Sequence, residues 1–187
     1  IIPKSMEEEV CRVVTERNEK YKVGDPLDEE TRCGPMVSEK QRISVMNYIQ
    51  KGIDEGATLL SGGVGMPDKL TKGFFVKPTV FKDVTPEMTI WKEEIFGPVL
   101  VIATYEEERE ALELANDSIY GLSGGVWSED EERAIEFARN MRTGQISVNG
   151  GFFNVSAPFG GFKASGNGRE LGVHGLEEFL EIKSIQR

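Results

Sequence analysis

From Pro98 onward the sequence falls into a repeating order that few architectures satisfy. An apolar run over 98–105 is followed by an acidic amphipathic stretch over 106–117 and a short apolar segment over 124–127. A second amphipathic stretch over 129–141 then leads into Gln145-Ile146-Ser147-Val148. Buried apolar strands separated by amphipathic helices form a parallel sheet with right-handed crossovers, covered on both faces. The spacing predicts an α/β fold: a parallel βαβαβ sheet with helices on both faces. At 187 residues the chain is long enough for one domain with one core, and no repeat, low-complexity tract or linker divides it.

The first half carries helix-start signals. Ser5-Met6-Glu7-Glu8 has the spacing of a capping box, and Met6, Val10, Val13 and Val14 follow at helical intervals, predicting a helix over 5–20. Gly24-Asp25-Pro26 ends it in a polar loop that runs to Val37. Ser38-Glu39-Lys40-Gln41 repeats the capping pattern, with Ile43, Met46, Ile49 and Ile53 as the expected apolar face. Residues 58–61 read as a short strand, and 74–81 as a strand that Pro78 pushes to a sheet edge. Thr85-Pro86-Glu87 opens a short helix through 91–94. The closing residues 181–186 alternate as a terminal strand.

Charge and cysteine usage exclude several functions. With 22 Lys+Arg against 32 Asp+Glu, the net charge of −10 opposes a nucleic-acid partner. Apolar runs such as residues 99–103 are far shorter than the roughly 20 residues a membrane span needs. Cys11 and Cys33 have no CxxC companion and His174 is the single imidazole, so neither a metal site nor a disulfide framework is expected. Nothing resembles a secretory signal, which leaves a reducing cytoplasm as the expected compartment. Ile1-Ile2-Pro3 lacks an initiator Met and reads as an interior start.

Two segments offer chemistry. Lys92-Glu93-Glu94-Ile95-Phe96-Gly97-Pro98 brings two carboxylates and a ring to the mouth of a parallel strand. Ligands gather there, and a carboxylate can accept both hydroxyls of a ribose while a ring covers a flat heterocycle. On spacing alone the same residues also read as a solvated Glu pair and a core Phe. The Phe/Gly loop over 150–162 suits either an apolar substrate tunnel or a plug over the core. Neither cysteine has a neighbour in sequence that would activate a thiolate, so packing or surface roles are expected for both. His174 reads as a capping or surface residue.

Four segments together carry a more specific signal: Glu93-Glu94-Ile95-Phe96-Gly97-Pro98-Val99; Ala115-Asn116-Asp117-Ser118-Ile119-Tyr120-Gly121-Leu122; Gly144-Gln145-Ile146-Ser147-Val148-Asn149; and Pro158-Phe159-Gly160-Gly161-Phe162-Lys163-Ala164-Ser165-Gly166. In this order and spacing they resemble the NAD(P)-dependent aldehyde dehydrogenase superfamily, including its betaine-aldehyde-dehydrogenase-like members. Arg169-Glu170-Leu171-Gly172 and Ile182-Lys183-Ser184-Ile185 fit as well.

The resemblance implies that residues 1–187 are the C-terminal portion of such a catalytic domain, with an oligomerisation strand at about 181–187 and the Rossmann-like cofactor domain absent. In that family a cysteine thiolate captures the aldehyde, hydride passes to NAD or NADP, and a glutamate activates the water that hydrolyses the thioester. Both catalytic segments would precede Ile1, and neither Cys11 nor Cys33 matches the nucleophile. The expectation is therefore a fragment that is inactive alone and binds no cofactor tightly, with an aldehyde as substrate of the intact homo-oligomeric enzyme. Glu94 matches the carboxylate on the nicotinamide ribose and Phe96 the ring beside the nicotinamide. Gln41 matches a position that can touch the same ribose, against its alternative place in the capping box. Phe159 and, on a shorter loop, Phe153 match walls of the aldehyde tunnel, whereas Asn149 and Lys163 read as structural. A noncatalytic binding or assembly module is the alternative reading.

Overall fold

The computed structural model describes residues 1–187. The chain divides into two compact units, Ile1–Ala111 and Leu112–Arg187. The boundary falls inside a helix, in keeping with a sequence that shows no linker.

The first unit opens with β1 (Ile2–Pro3), a 3-10 turn over Lys4–Met6 and α1 (Glu7–Glu19). Then come α2 (Glu39–Asp54), β2 (Thr58–Ser61), β3 (Thr79–Lys82), α3 (Thr89–Lys92), β4 (Val99–Val101) and β5 (Thr104–Tyr105). Helix α4 (Glu108–Asn116) crosses the boundary. The second unit continues with β6 (Ser123–Val126), α5 (Glu131–Asn140), β7 (Gln145–Val148), a 3-10 turn over Lys163–Ser165 and α6 (Gly172–Glu177).

The fold is α/β with parallel pairings. In the first unit β3 lies between β2, which is antiparallel to it, and β4, which is parallel. Strand β1 pairs in parallel with β5. In the second unit β6 and β7 pair in parallel across the α5 crossover. The expected order of strands and helices is present, but its hydrogen-bonded ladders are short and separate. The apolar run over 98–105 breaks at Ile102 and Ala103, both buried, so that its two halves join different partners.

Local differences from the sequence reading have physical causes. Ser5 does not cap α1: it lies inside the 3-10 turn, Met6 takes the cap position without a side-chain bond, and Glu7, Glu8 and Glu9 in the first turn suit the positive end of the helix dipole. Ser38 does cap α2, its hydroxyl accepting from the Gln41 amide at 3.2 Å. The buried face of α2 is Val45, Ile49 and Gly52, whereas Ile43 and Ile53 are exposed. What packs on the helix decides this, because Gly52 leaves room for Ile90: a Cβ there would stand 2.9 Å from the Ile90 Cδ1. Residues 74–78 are not strand, and β3 is central rather than at an edge. Pro78 immediately precedes the ladder, so its missing N–H removes no ladder bond. Residues 181–187 form no strand within this chain, and Ile182 and Ile185 are 99% and 83% exposed. A terminal strand needs a neighbouring edge to pair with.

The apolar core lies in the first unit. Val45, Ile49, Val76, Phe81, Val84, Ile90 and Ile95 pack together with Ala57, and Cys11, Val80 and Ile102 form a second cluster. In the second unit Ala134 is the one buried apolar side chain.

Candidate cofactor-facing site

One face of α2 determines where residues 89–97 lie. Gln41, Val45, Tyr48, Gly52 and Glu55, the residue that ends the helix, recur at intervals of four, three, four and three, which places them on one stripe. Each meets the 89–97 segment. At the far end the Glu55 carboxylate accepts from the Thr89 amide and the Thr89 hydroxyl, both at 2.7 Å. These two bonds cap α3 and hold the Glu55 carboxyl below its ordinary pKa. Gly52 admits Ile90. The Tyr48 hydroxyl donates to Glu93 at 2.7 Å. Val45 faces Gly97, where a Cβ would approach the Val45 Cγ2 to 2.5 Å. At the near end Gln41 Nε2 donates to the carbonyls of Phe96 at 3.0 Å and Ile95 at 3.4 Å. Two facing carbonyls accept only from a donor, which sets the amide orientation and leaves the Gln41 Oε1 as the open atom.

The result is a loop with a buried anchor and an exposed tip. Ile95 is 9% exposed and sits in the core, while Phe96 is 74% exposed with φ +53°, a left-handed conformation that L residues rarely adopt. The Glu94 carboxylate is exposed and has no partner within the chain. Gln41 and Phe96, expected to share a site, are therefore in direct contact, with Glu94 on the same loop. The capping box is half made: Ser38 accepts from the Gln41 backbone, but the Gln41 side chain is turned to Phe96 instead of back to the cap. Sequence reasoning missed Tyr48 and Glu55. Their signal was the four-three spacing from Gln41, obscured because the more conspicuous apolar residues Ile43 and Ile53 suggested another face.

In the second unit the loop after β7 brings Phe153 and Phe159 together, their rings edge to face at 5.7 Å. Phe159 is fixed by paired backbone bonds with Glu170. Phe152 projects fully into solvent. Asn149 is structural, bridging to Ser128 through both ends of its amide at 2.9 Å. So is Lys163, whose ammonium donates to the carbonyls of Asn116 and Ser118 at 2.9 Å.

Neither thiol is prepared for attack. Cys11 is buried on α1 and Cys33 is half-buried beside Gly34, and they are unbridged. Desolvation pushes both thiol pKa values up, the opposite of what a thiolate nucleophile needs. His174 is exposed beside Glu177 at 3.3 Å, and no cluster of His, Cys, Asp or Glu has the arrangement of a metal site.

The family model described as the aldehyde dehydrogenase family matches residues 1–185. The chain belongs to the aldehyde dehydrogenase family. Among curated relatives, a putative aldehyde dehydrogenase of Staphylococcus saprophyticus is 47% identical over 185 residues, 99% of this chain and 39% of that protein. Among solved structures, a cysteine-to-alanine variant of aldehyde dehydrogenase C from Pseudomonas syringae, in complex with NAD+ and octanal, superposes with TM-score 0.93 at 45% identity. It covers 96% of this chain and 37% of its own. Betaine aldehyde dehydrogenase of Staphylococcus aureus, with NAD+, gives TM-score 0.90 at 39% identity, covering 96% and 37%. The chain thus spans about 39% of the length of the curated aldehyde dehydrogenases it matches. No helix is long and apolar enough to cross a membrane.

Proposed function

We propose that this chain supplies the nicotinamide-facing and substrate-lining part of an enzyme that oxidises an aldehyde to a carboxylic acid with NAD or NADP. The observation that carries the reading is the loop over 94–96. It offers an unpartnered, exposed carboxylate beside an exposed ring, both preset by the core anchor Ile95 and by Gln41. These residues fit the cofactor: Glu94 can accept from both hydroxyls of a ribose, and Phe96 presents a flat apolar surface to the nicotinamide. When bound, NAD(P) accepts hydride. Phe153 and Phe159 belong to the apolar wall that receives the aldehyde.

The nucleophilic cysteine and the general-base glutamate lie outside these 187 residues in this reading. The aldehyde would be captured there as a thiohemiacetal and released through a thioester. The raised thiol pKa values of Cys11 and Cys33 support this, as does the cysteine-to-alanine change in the neighbour that holds octanal. Ile1–Arg187 alone is then inactive and binds no cofactor tightly. The complete enzyme is a homo-oligomer in which residues 181–187 find a strand partner, and its unbridged thiols suit a cytoplasmic setting.

The test is NAD titration of the full-length enzyme that carries this chain, with and without Glu94→Gln. Loss of charge-assisted hydrogen bonds to the ribose is expected to weaken NAD roughly tenfold or more. Unchanged affinity and turnover would favour a noncatalytic assembly role instead. Aldehyde oxidation by the 187-residue chain, abolished by Cys11→Ala or Cys33→Ala, would overturn the placement of the nucleophile.

A further inference from the structure

The two adjacent carboxylates of the cofactor-facing loop are treated differently by the fold. Helix α3 ends at Lys92, and Glu93 leaves it with extended backbone, φ −110° and ψ 146°. Successive side chains of an extended stretch point to opposite sides. Glu93 turns to α2, where its carboxylate accepts from the Tyr48 hydroxyl at 2.7 Å, and Glu94 has no partner within the chain. The alternation continues along the loop, with Ile95 buried in the core and Phe96 74% exposed. Glu93 and Ile95 are thus the held side of the segment, and Glu94 and Phe96 the open side. A slip of one residue would bring Glu94 to Tyr48 and turn Ile95 out of the core.

Tyr48 is placed to enforce that division. It lies on the α2 stripe between Val45 and Gly52, and its ring packs against the main buried cluster while its hydroxyl reaches the exposed Glu93 carboxylate. A ring seated on a core carries its polar tip at a fixed position. Resting on the cofactor reading above, we infer that Tyr48 is a positioning residue: by holding the Glu93 carboxylate against α2, it fixes the side of the loop from which Glu94 meets the ribose. In this role Tyr48 touches neither cofactor nor substrate and acts through Glu93 and the backbone.

The test uses the full-length enzyme that carries this chain and reads NAD affinity by titration. Tyr48→Phe keeps the ring and removes the hydroxyl, and is expected to weaken NAD roughly fivefold, the net worth of about one hydrogen bond. The aldehyde KM should stay within about twofold of wild type, because the disturbance is confined to the cofactor side. Glu93→Ala removes the acceptor from an exposed position and should give the same loss, with Tyr48→Phe adding nothing to it. In a Glu94→Gln background Tyr48→Phe should also add nothing, because the group it orients is already disabled. Wild-type NAD affinity in both Tyr48→Phe and Glu93→Ala would overturn the inference. So would losses that multiply with that of Glu94→Gln, or an aldehyde KM that rises in step with the loss of NAD, since both mark a general structural role. Failure of the cofactor reading is distinguishable: Glu94→Gln by itself would then leave NAD affinity unchanged, whereas weakening by Glu94→Gln with none in the Tyr48 and Glu93 variants overturns the positioning role alone.

Discussion

The two compact units are held together by different forces. In Ile1–Ala111, eight buried side chains form the main cluster around Phe81, and the segment bearing Glu94 and Phe96 hangs from that cluster by Ile90 and Ile95. In Leu112–Arg187 the sole buried apolar side chain is Ala134, and backbone contacts take over. The Gly144 amide donates to Gly121, the Phe162 amide to the same carbonyl, and the Arg169 guanidinium to the carbonyls of Gly161 and Gly168 while lying over the Phe162 ring. Meanwhile Phe152, Phe179 and Ile182 are almost wholly exposed. One unit is stabilised by its own core; the other keeps its shape by hydrogen bonds and close backbone approach.

The largest expected effect follows from that contrast. Phe81→Ala removes the largest fully buried side chain and should destabilise the chain by about 3–5 kcal/mol. Phe152→Ala, at a fully exposed ring, should change stability by no more than about 0.5 kcal/mol. Urea denaturation of both variants measures the difference. Equal losses would mean that the second unit has a core of its own and that the comparison is wrong.

A smaller effect tests the second unit directly. A Cβ on Gly144 would stand 1.6 Å from the Gly160 carbonyl oxygen, and backbone cannot yield as a side chain does. Gly144→Ala should displace residues 158–170 and destabilise by about 1–3 kcal/mol, the range of an overpacking substitution. Amide hydrogen exchange should rise across β7 and residues 158–170 and stay unchanged in β3 and β4. Full protection of residues 158–170 in the variant would show that this backbone approach does not hold the unit.

How much of this was legible in the sequence depended on whether the signal was local. Capping by Ser38, the four helices α1, α2, α4 and α5, and the α5 crossover between β6 and β7 all follow from residues within a turn or two of each other. Strand partners did not: one apolar run over 98–105 supplies two strands that pair with β3 and β1, because only tertiary packing decides where Ile102 and Ala103 are buried. The same holds for Pro78, whose ring forbids a ladder bond only inside a strand, and here the strand starts one residue later. The segment bearing Glu94 and Phe96 stood out by its place at a strand mouth, whereas the choice of Glu94 over Glu93 and the inclusion of Gln41 came from motif resemblance; the contact that joins Gln41 to Phe96 spans 55 positions and leaves no trace in local spacing. In the second unit the terminal strand was expected from alternation alone, and alternation creates a strand only beside an available edge.

The smallest effect concerns the first unit and depends on pH. Glu55 accepts two bonds from Thr89, which lower its folded-state pKa below the unfolded value of about 4.3. A depressed carboxyl contributes stability that is fully present above the unfolded pKa and is lost as pH falls through the folded one. Glu55→Gln keeps the shape but not the charge, so its deficit relative to wild type should be largest near pH 7 and should shrink steadily below about pH 4. Because the tie caps α3, loosening should show in hydrogen exchange of residues 89–93 and leave β6 and β7 untouched. A deficit that stayed constant down to acid pH, or grew, would mean that the loss in Glu55→Gln does not come from the charge of the carboxylate.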